Sequence, residues 1–350
     1  MSARHSRLLQ VTAALMFLSL AMSFSPAVLG QQKPKEPLWT HAFDLKCRKY
    51  GESEFTDKTQ KFGVEAFKDT NTGSGLYVSQ AGSFAAAPGF ESITSAIKNS
   101  KGPEWVAGLD LPCRKAGEKE FTKDTKIHAM EVFLDQNTNN FVYITEKALM
   151  ASCPVPKGYK APSGGLMAPK WLHSVDLSCR KGGVKEWKDA LKFGLEIYRD
   201  LNTGNIIYIT DTGAIAVLHE KIQAKVDGKA PSWLHGLDLQ CRQHNEMDFT
   251  KKTRKFGIEV FRDETNGNLI YICESGDLAV VPAPIQLTAP TSKVKEPVWT
   301  HGLNLSCRKS GEPNFTDKTR VYGAEVFRDD NTGLTLYITE TGSLAAVPTK

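Results

Sequence analysis

The chain lacks the short motifs that mark the common classes of enzyme. It has no Gly-x-Ser-x-Gly, His-Glu-x-x-His or Cys-x-x-Cys sequence, no Walker loop and no dinucleotide-binding fingerprint. Their absence removes the direct sequence evidence for serine hydrolases, zinc peptidases, thiol redox proteins and nucleotide-dependent enzymes. We therefore expect no cofactor, no metal and no catalytic residue.

Acidic residues are missing from the first thirty positions. Arg4 and Arg7 precede the apolar run from Leu8 to Met22, and small residues at 27–30 follow before Gln31. This order is typical of a cleaved secretory signal peptide over residues 1–30. The run is short for a membrane span, and no later stretch is long and apolar enough to be one. We expect a secreted protein, periplasmic or extracellular, with no stable membrane insertion after cleavage.

An excess of charge of one sign is also missing. Without Arg4 and Arg7, the 44 basic residues become 42, against 39 acidic residues that are interspersed with them. Nucleic-acid-binding proteins usually carry a basic patch and a larger positive charge. The composition therefore argues against a nucleic-acid partner, and it leaves a protein or a carbohydrate as the expected ligand.

Cysteine pairs are scarce in spite of seven cysteines. Five of them occupy one position in a repeat, and only Cys153 and Cys273 are additional. An odd number with one copy per repeat does not form a disulfide framework, and the neighbouring residues are those of a buried strand. We expect buried, reduced thiols at the five repeated positions, which are Cys47, Cys113, Cys179, Cys241 and Cys307.

What the chain does contain is one module five times. A tryptophan opens each copy, at spacings of 66, 66, 62 and 66 residues, and a fixed period of this size predicts a repeat architecture. The tryptophans are Trp39, Trp105, Trp171, Trp233 and Trp299. The modules span 39–88, 105–154, 171–219, 233–282 and 299–348 within a repeat domain at 31–350.

Each module is predicted to be a four-stranded antiparallel meander without a helix. In the first strand, Trp39, His41, Phe43, Leu45 and Cys47 alternate with polar or small residues, which indicates a half-buried strand. A charged connection with one aromatic residue follows, and we expect that residue to plug the edge of the core. Asp-x-Asn-Thr-Gly and similar turns then join the remaining strands.

A single module of this size buries too little surface to be stable alone. Radial stacking of four-stranded meanders makes a β-propeller, so the expected fold is all-β with five blades. A string of five small β domains on linkers is the alternative. The segments Phe256-Gly-Ile-Glu-Val, Gly267-Asn-Leu-Ile-Tyr-Ile-Cys and Ile207-Tyr-Ile-Thr-Asp-Thr-Gly resemble the NHL-type propeller repeat. That resemblance covers about half of each module, implies a blade-like meander and transfers no ligand.

Two charged positions recur in every module and are the candidate ligand-facing residues. We favour a structural ion pair within or between modules, such as Glu65 with Arg48, because a carboxylate among strand-forming residues needs a partner. A ring of charged ligand sites is the alternative. The arginines are Arg48, Arg114, Arg180, Arg242 and Arg308; the glutamates are Glu65, Glu131, Glu196, Glu259 and Glu325.

Two further polar positions have simple structural interpretations. The turn aspartates Asp69, Asp135, Asp200, Asp263 and Asp329 suggest calcium loops, but hydrogen bonding within the turn is favoured. A histidine recurs four times and is replaced by Ala107 in the second module; we expect it to be core-facing and hydrogen-bonded. The histidines are His41, His173, His235 and His301.

These observations predict an exported, non-enzymatic repeat protein that acts as a binding or scaffolding module. Repetition of the same loops favours several equivalent sites and therefore multivalent binding. A structural protein of the cell envelope, whose repeats only build a rigid body, is one alternative. A propeller hydrolase or lyase with a site at the ring axis is the other. The sequence does not identify the ligand.

Overall fold

Each sheet contains four antiparallel strands that pair in the order in which they occur along the chain. The structure is a computed structural model that describes residues 35–219, 228–282 and 293–349. Blade 1 has β1 (Leu38–Cys47), β2 (Gln60–Lys68), β3 (Gly75–Ser79) and β4 (Phe84–Ala87). Blade 2 has β5 (Glu104–Cys113), β6 (Lys126–Asp135), β7 (Asn140–Thr145) and β8 (Met150–Pro154). Blade 3 has β9 (Lys170–Cys179), β10 (Leu191–Arg199), β11 (Ile206–Thr210) and β12 (Ile215–Leu218). Blade 4 has β13 (Ser232–Cys241), β14 (Arg254–Arg262), β15 (Leu269–Cys273) and β16 (Leu278–Val281); blade 5 has β17 (Val298–Cys307), β18 (Arg320–Asp329), β19 (Leu334–Thr339) and β20 (Leu344–Pro348).

The five sheets form a closed five-bladed β-propeller. The last strand of each blade is innermost, and β4, β8, β12, β16 and β20 contact one another in a ring. Blade 5 also packs on blade 1 through β17 against β2 and β3. The predicted all-β propeller is therefore confirmed, and the alternative of five domains on linkers is wrong. The predicted signal peptide lies outside the described residues.

The hydrophobic cores lie between blades rather than within them. Each of the five clusters combines one face of a blade with the opposite face of the next. In the cluster between blades 1 and 2, Leu45, Val64 and Tyr77 pack with Phe133 and Ile144. This arrangement explains why one module is too small to be stable: both faces of each sheet need a neighbour.

A β-bulge changes the face of the opening tryptophan. Trp39 pairs with Phe67, but His41 pairs with Ala66, so one extra residue interrupts the ladder between them. From His41 to Cys47 the predicted alternation holds. Trp39 itself lies on the opposite face and packs in the cluster shared with blade 5. The expectation that Trp39 shares a face with His41 and Cys47 is therefore wrong.

The repeated cysteines are buried and unpaired, as expected. Cys47 lies on the face of blade 1 that meets blade 2, where its Sγ approaches the backbone oxygens of Ala129 and Ile144 at 3.9 and 3.5 Å. Burial is the largest cause that raises the pKa of this thiol far above its usual value. Equivalent contacts repeat around the ring, so each interface between blades contains one of these thiols.

Candidate functional site at the interblade corners

The repeated arginine and glutamate form ion pairs between neighbouring blades. The arginine Nε atom lies 2.5–2.6 Å from the glutamate Oε1 atom of the next blade at all five interfaces. The pairs are Arg48–Glu131, Arg114–Glu196, Arg180–Glu259, Arg242–Glu325 and Arg308–Glu65. The suggested partnership of Glu65 with Arg48 is therefore wrong. Arg308 from the last blade bonds to Glu65, which closes the ring.

The same glutamate holds the opening tryptophan of its own blade. Trp233 donates its indole N–H to Glu259 over 2.6 Å, while Arg180 of the preceding blade bonds to the other carboxylate oxygen. The aromatic residue in the connection completes the arrangement: Trp187 meets Trp233 edge to face, with ring centroids 5.9 Å apart. We call each set of arginine, connection aromatic, tryptophan and glutamate an interblade corner.

The five interblade corners share one geometry. The arginine guanidinium lies 4.8–5.7 Å from the ring centroid of its own connection aromatic, within the range of a cation–π contact. The two rings meet edge to face with centroids 5.7–6.2 Å apart. The aromatic pairs are Phe55–Trp105, Phe121–Trp171, Trp187–Trp233, Phe249–Trp299 and Phe315–Trp39.

The glutamates and the aromatic rings of a corner differ in their exposure to solvent. The five glutamates are buried, whereas Trp187 and Trp233 are 43% and 45% exposed. Phe121, Phe315, Trp105 and Trp171 are exposed as well. The expectation that the connection aromatic plugs the core edge is confirmed for Phe55, which packs against the core between blades 1 and 2. It is wrong for Phe121, Trp187 and Phe315, which present a ring to solvent. The sequence does contain a signal for these rings: one aromatic residue recurs in every module at a fixed distance from the opening tryptophan and from the arginine.

The arginine's hydrogen-bonding capacity is used within the corner. Arg114 bonds to both carboxylate oxygens of Glu196, at 2.6 and 3.1 Å, and its Nη1 atom donates to the backbone oxygen of Lys119. The hydrogen bond to Glu196 is the largest cause that raises the pKa of Arg114, so the guanidinium stays charged. The ion pair therefore holds the rings in place, and the exposed rings are the surface available to a ligand.

A second network joins the blades closer to the axis. His41 Nε2 lies 3.0 Å from Asp135 Oδ2 of the next blade, and the Tyr77 hydroxyl donates to the same oxygen over 2.7 Å. Asp135 also accepts from the backbone N–H of Asn137 in its own turn. The predicted turn-capping role of the aspartates and the hydrogen-bonded role of His41 are confirmed. Within the described parts of the chain, no cluster of three potential metal ligands occurs.

We expect this network to make stability fall in acid. Burial is the largest single influence on Asp329 and alone would raise its pKa. The hydrogen bond and charge of His235, together with hydrogen bonds from Asn331 and Thr332, lower the pKa to about 2. A carboxyl group with a depressed pKa stabilises the fold above its unfolded pKa of about 3.9 and loses that contribution as the pH falls towards 2. We expect Asp329 to contribute about 2.5 kcal/mol to the free energy of unfolding at pH 7.

Urea unfolding of the wild type and the Asp329→Asn variant at pH 7, 4 and 2.5 measures this contribution. The difference between the two proteins should be largest at pH 7 and shrink below pH 4. A difference that stays constant over this range would contradict the assignment.

The propeller axis offers little space for a ligand. The channel is lined by small and apolar side chains of the innermost strands, such as Ala85, Ala151 and Ala216, and holds about 60 Å³. A second cavity, of about 260 Å³, lies at one mouth of the channel, beside Asp277. Asp277 accepts hydrogen bonds from the backbone N–H groups of Leu278 and Leu344, so its carboxylate joins blades 4 and 5.

A larger groove lies beside an interblade corner. About 430 Å³ of space is enclosed next to Trp299 and Phe249, with Asp238, Gln240 and Lys255 on the neighbouring strands. Its walls thus combine aromatic faces with hydrogen-bonding and charged side chains of both signs. Throughout the described residues, no helix is long and apolar enough to span a membrane.

Comparisons with known proteins leave the function open. No protein-family model matches the chain, and no protein of curated function matches it. One solved structure that aligns with it is a catalytically inactive variant of virginiamycin B lyase from Staphylococcus aureus, crystallised with quinupristin. The alignment has 14% sequence identity, covers 88% of this chain and 74% of the lyase chain, and has a TM-score of 0.12. A likeness at that score carries no argument about function.

Proposed function

We propose that this protein is an exported, non-enzymatic binding module that holds an extended carbohydrate polymer at its interblade corners. The single observation that supports it most is the exposure of paired aromatic rings at regular positions around the perimeter. The apolar N-terminal segment after Arg4 and Arg7 supports export. The proposed role is binding alone, without a catalysed reaction.

The rings are held in a way that favours ligand binding. A solvent-exposed indole loses little further freedom on binding when its N–H is fixed, as Trp233 is by Glu259. A sugar ring offers apolar C–H groups to an aromatic face and hydroxyl groups to neighbouring polar side chains. At the groove beside Trp299, Asp238, Gln240 and Lys255 are placed to bond such hydroxyls. The combination suits a neutral or weakly charged glycan.

Five corners on one rigid ring favour a repeating ligand. Each corner is small, so the affinity of one alone is expected to be low. A polymer with repeated sugar units engages several corners at once, and the linked contacts raise the overall affinity without a new kind of contact. Repetition of the site is thus matched by repetition in the ligand.

The alternatives have less support. A hydrolase or lyase site at the axis needs room for its substrate and a set of acid–base residues. The channel holds only about 60 Å³, and the cavity of about 260 Å³ at its mouth has Asp277 as its one ionisable lining residue in the described part of the chain, which is already hydrogen-bonded to the backbone of blades 4 and 5. A purely structural role in the cell envelope explains the buried ion pairs but gives no reason for exposed tryptophans at the same position of successive blades. Large apolar groups that recur on a surface usually mark an interaction site.

Binding to arrays of purified polysaccharides, with an array of envelope proteins in parallel, tests the proposal. We expect the wild type to bind one or more polysaccharides, and the Phe121→Ser plus Trp187→Ser double variant to bind the same glycan about tenfold more weakly through lost avidity. Both residues lie in connections and make none of the tryptophan–glutamate bonds.

Leu201→Ser is the matched control, since Leu201 is also exposed but lies in the turn between β10 and β11, away from the corners. It should bind like the wild type. Binding to proteins alone, equal loss in the control, or no loss in the double variant would each overturn the carbohydrate proposal.

A further inference from the structure

The interface between blades 2 and 3 departs from the other four. At each of the others, a histidine on the first strand bonds to the turn aspartate of the next blade, at 3.0–3.1 Å. At this interface Ala107 replaces the histidine, so no imidazole reaches Asp200 from that position. One repeated polar contact between blades is therefore missing here.

A second contact is altered because an acidic side chain is one methylene shorter. At the other four interfaces, a glutamate or glutamine lies in the turn between the third and fourth strands of a blade. Its side chain accepts a hydrogen bond from a backbone N–H in the loop of the preceding blade. Glu146 accepts from the N–H of Tyr50, and Glu340 accepts from the N–H of His244. Asp211 holds this position in blade 3, and its Oδ1 atom is buried without a hydrogen-bond partner.

A third departure is a histidine at a position where the other blades have phenylalanine or tyrosine. Phe62, Phe193, Phe256 and Tyr322 occupy the position of His128. His128 is only 2% exposed, and neither ring nitrogen has a partner with good hydrogen-bond geometry among the described residues; the backbone of Asp211 gives only a weak contact. Its ring packs on the turn of blade 3, where a Cβ atom added to Gly213 would lie 2.9 Å from Nδ1. The imidazole of His128 is thus removed from water at this interface with little compensation.

We propose that the propeller ring opens first between blades 2 and 3, and that mild acid promotes this opening through His128. The interface between the last and first blades is therefore not the weakest of the five. Between blades 5 and 1, the contacts His301–Asp69, Arg308–Glu65 and Ser310–Gln80 are all present.

The charges around His128 give the direction of the pH effect. Burial lowers the pKa of His128 to about 4, and Lys147 and Lys126 lower it further, while the backbone of Asp211 opposes them. From the facing blade, the Asp211 carboxyl has its own pKa raised by burial, with Lys126 and Lys115 opposing. A histidine with a depressed pKa binds its proton in the open form, so opening is favoured as the pH falls below about 6.5 and the effect levels off near 4.

The repeated cysteines report each interface separately. Cys113 lies between blades 2 and 3, with its Sγ near the backbone oxygens of Gly194 and Ile209. Cys47, Cys179, Cys241 and Cys307 lie at the other four interfaces. A thiol reagent reaches each of them only when its interface opens, so the labelling rate of each cysteine measures the opening of one interface.

The experiment is native-state labelling of the whole chain with 4,4′-dithiodipyridine, read for each cysteine by mass spectrometry. Rates are divided by those of the urea-unfolded chain at the same pH. We expect Cys113 to be labelled at least about tenfold faster than the other four repeated cysteines at pH 7.5. Lowering the pH to 5.5 should raise its normalised rate about tenfold more, as expected for one proton with an open-state pKa near 6.5.

Two variants decide the role of the histidine. His128→Phe restores the residue type of the other blades and should remove the acid effect on Cys113. Phe193→His, at the interface between blades 3 and 4, should confer an acid effect on Cys179. If the second variant does not fold, the first is sufficient. Equal rates at all five cysteines, fastest labelling of Cys307, or an acid effect that survives in His128→Phe would overturn the proposal.

Discussion

Replacing Glu259 by alanine is expected to lower the free energy of unfolding by about 3 kcal/mol, because it leaves a charged partner without compensation. Glu259 is 1% exposed and accepts from both Arg180 and Trp233. Removing the carboxylate therefore strands a guanidinium in one blade and an indole N–H in the next. Urea unfolding followed by tryptophan fluorescence and by circular dichroism measures the loss.

Position within the ring should matter little for this effect. Glu65→Ala, at the interface that closes the ring, should cost a similar amount because Arg308 and Trp39 contact Glu65 in the same way. Glu186→Ala is the control, since Glu186 is exposed in a connection. If both buried variants unfold like the wild type while glycan binding is lost, the carboxylates act on a ligand and the structural interpretation fails.

Adding one methyl group at Gly257 is expected to destabilise the protein by about 3 kcal/mol, at the upper end of the usual cost of overpacking. A Cβ atom there would lie 2.0 Å from the backbone oxygen of Arg180 in the preceding blade. Backbone atoms cannot swing away as a side chain does, so the blades would have to separate. The midpoint of thermal or urea unfolding of Gly257→Ala measures the effect.

The second module provides the matched control for this prediction. It carries Ala129 at the equivalent position, so the interface between blades 1 and 2 already accommodates the methyl group. Ala129→Gly should cost about 1 kcal/mol or less, mainly through greater freedom of the unfolded chain. A Gly257→Ala protein as stable as the wild type would show that the interface between blades 3 and 4 adapts freely.

The strands were predictable from the sequence because their signals are local. Alternation from His41 to Cys47 and the Asp-x-Asn-Thr-Gly turn each depend on residues a few positions apart, and the structure places strands and turns there. The ring followed from a second kind of evidence: a module too small for its own core, repeated at a constant interval.

The partners across the blades were not predictable in the same way. Whether Arg48 reaches Glu65 or Glu131 depends on which face of blade 1 meets blade 2, and periodicity is the same for either face. The bulge between Trp39 and His41 also reverses the side of the tryptophan, because one extra residue in a strand inverts the alternation. The exposure of the corner tryptophans was missed for this reason. The connection aromatics lie outside the strands and were assigned to the core edge because they are apolar.

The ring closes without exchange of a strand. Every sheet is built from one continuous segment, and blades 5 and 1 are joined through side chains such as Arg308 and Glu65. The junction of the last and first blades therefore carries the same kinds of side-chain contact as the other interfaces and lacks only the peptide connection that joins successive blades. The interface between blades 5 and 1 thus lies at one of five nearly equivalent places, and we expect a circular permutant that begins at Trp171 and joins blade 5 to blade 1 by a linker to keep the contacts between blades. The blade at which the gene begins is thus separable from the arrangement of the blades around the ring.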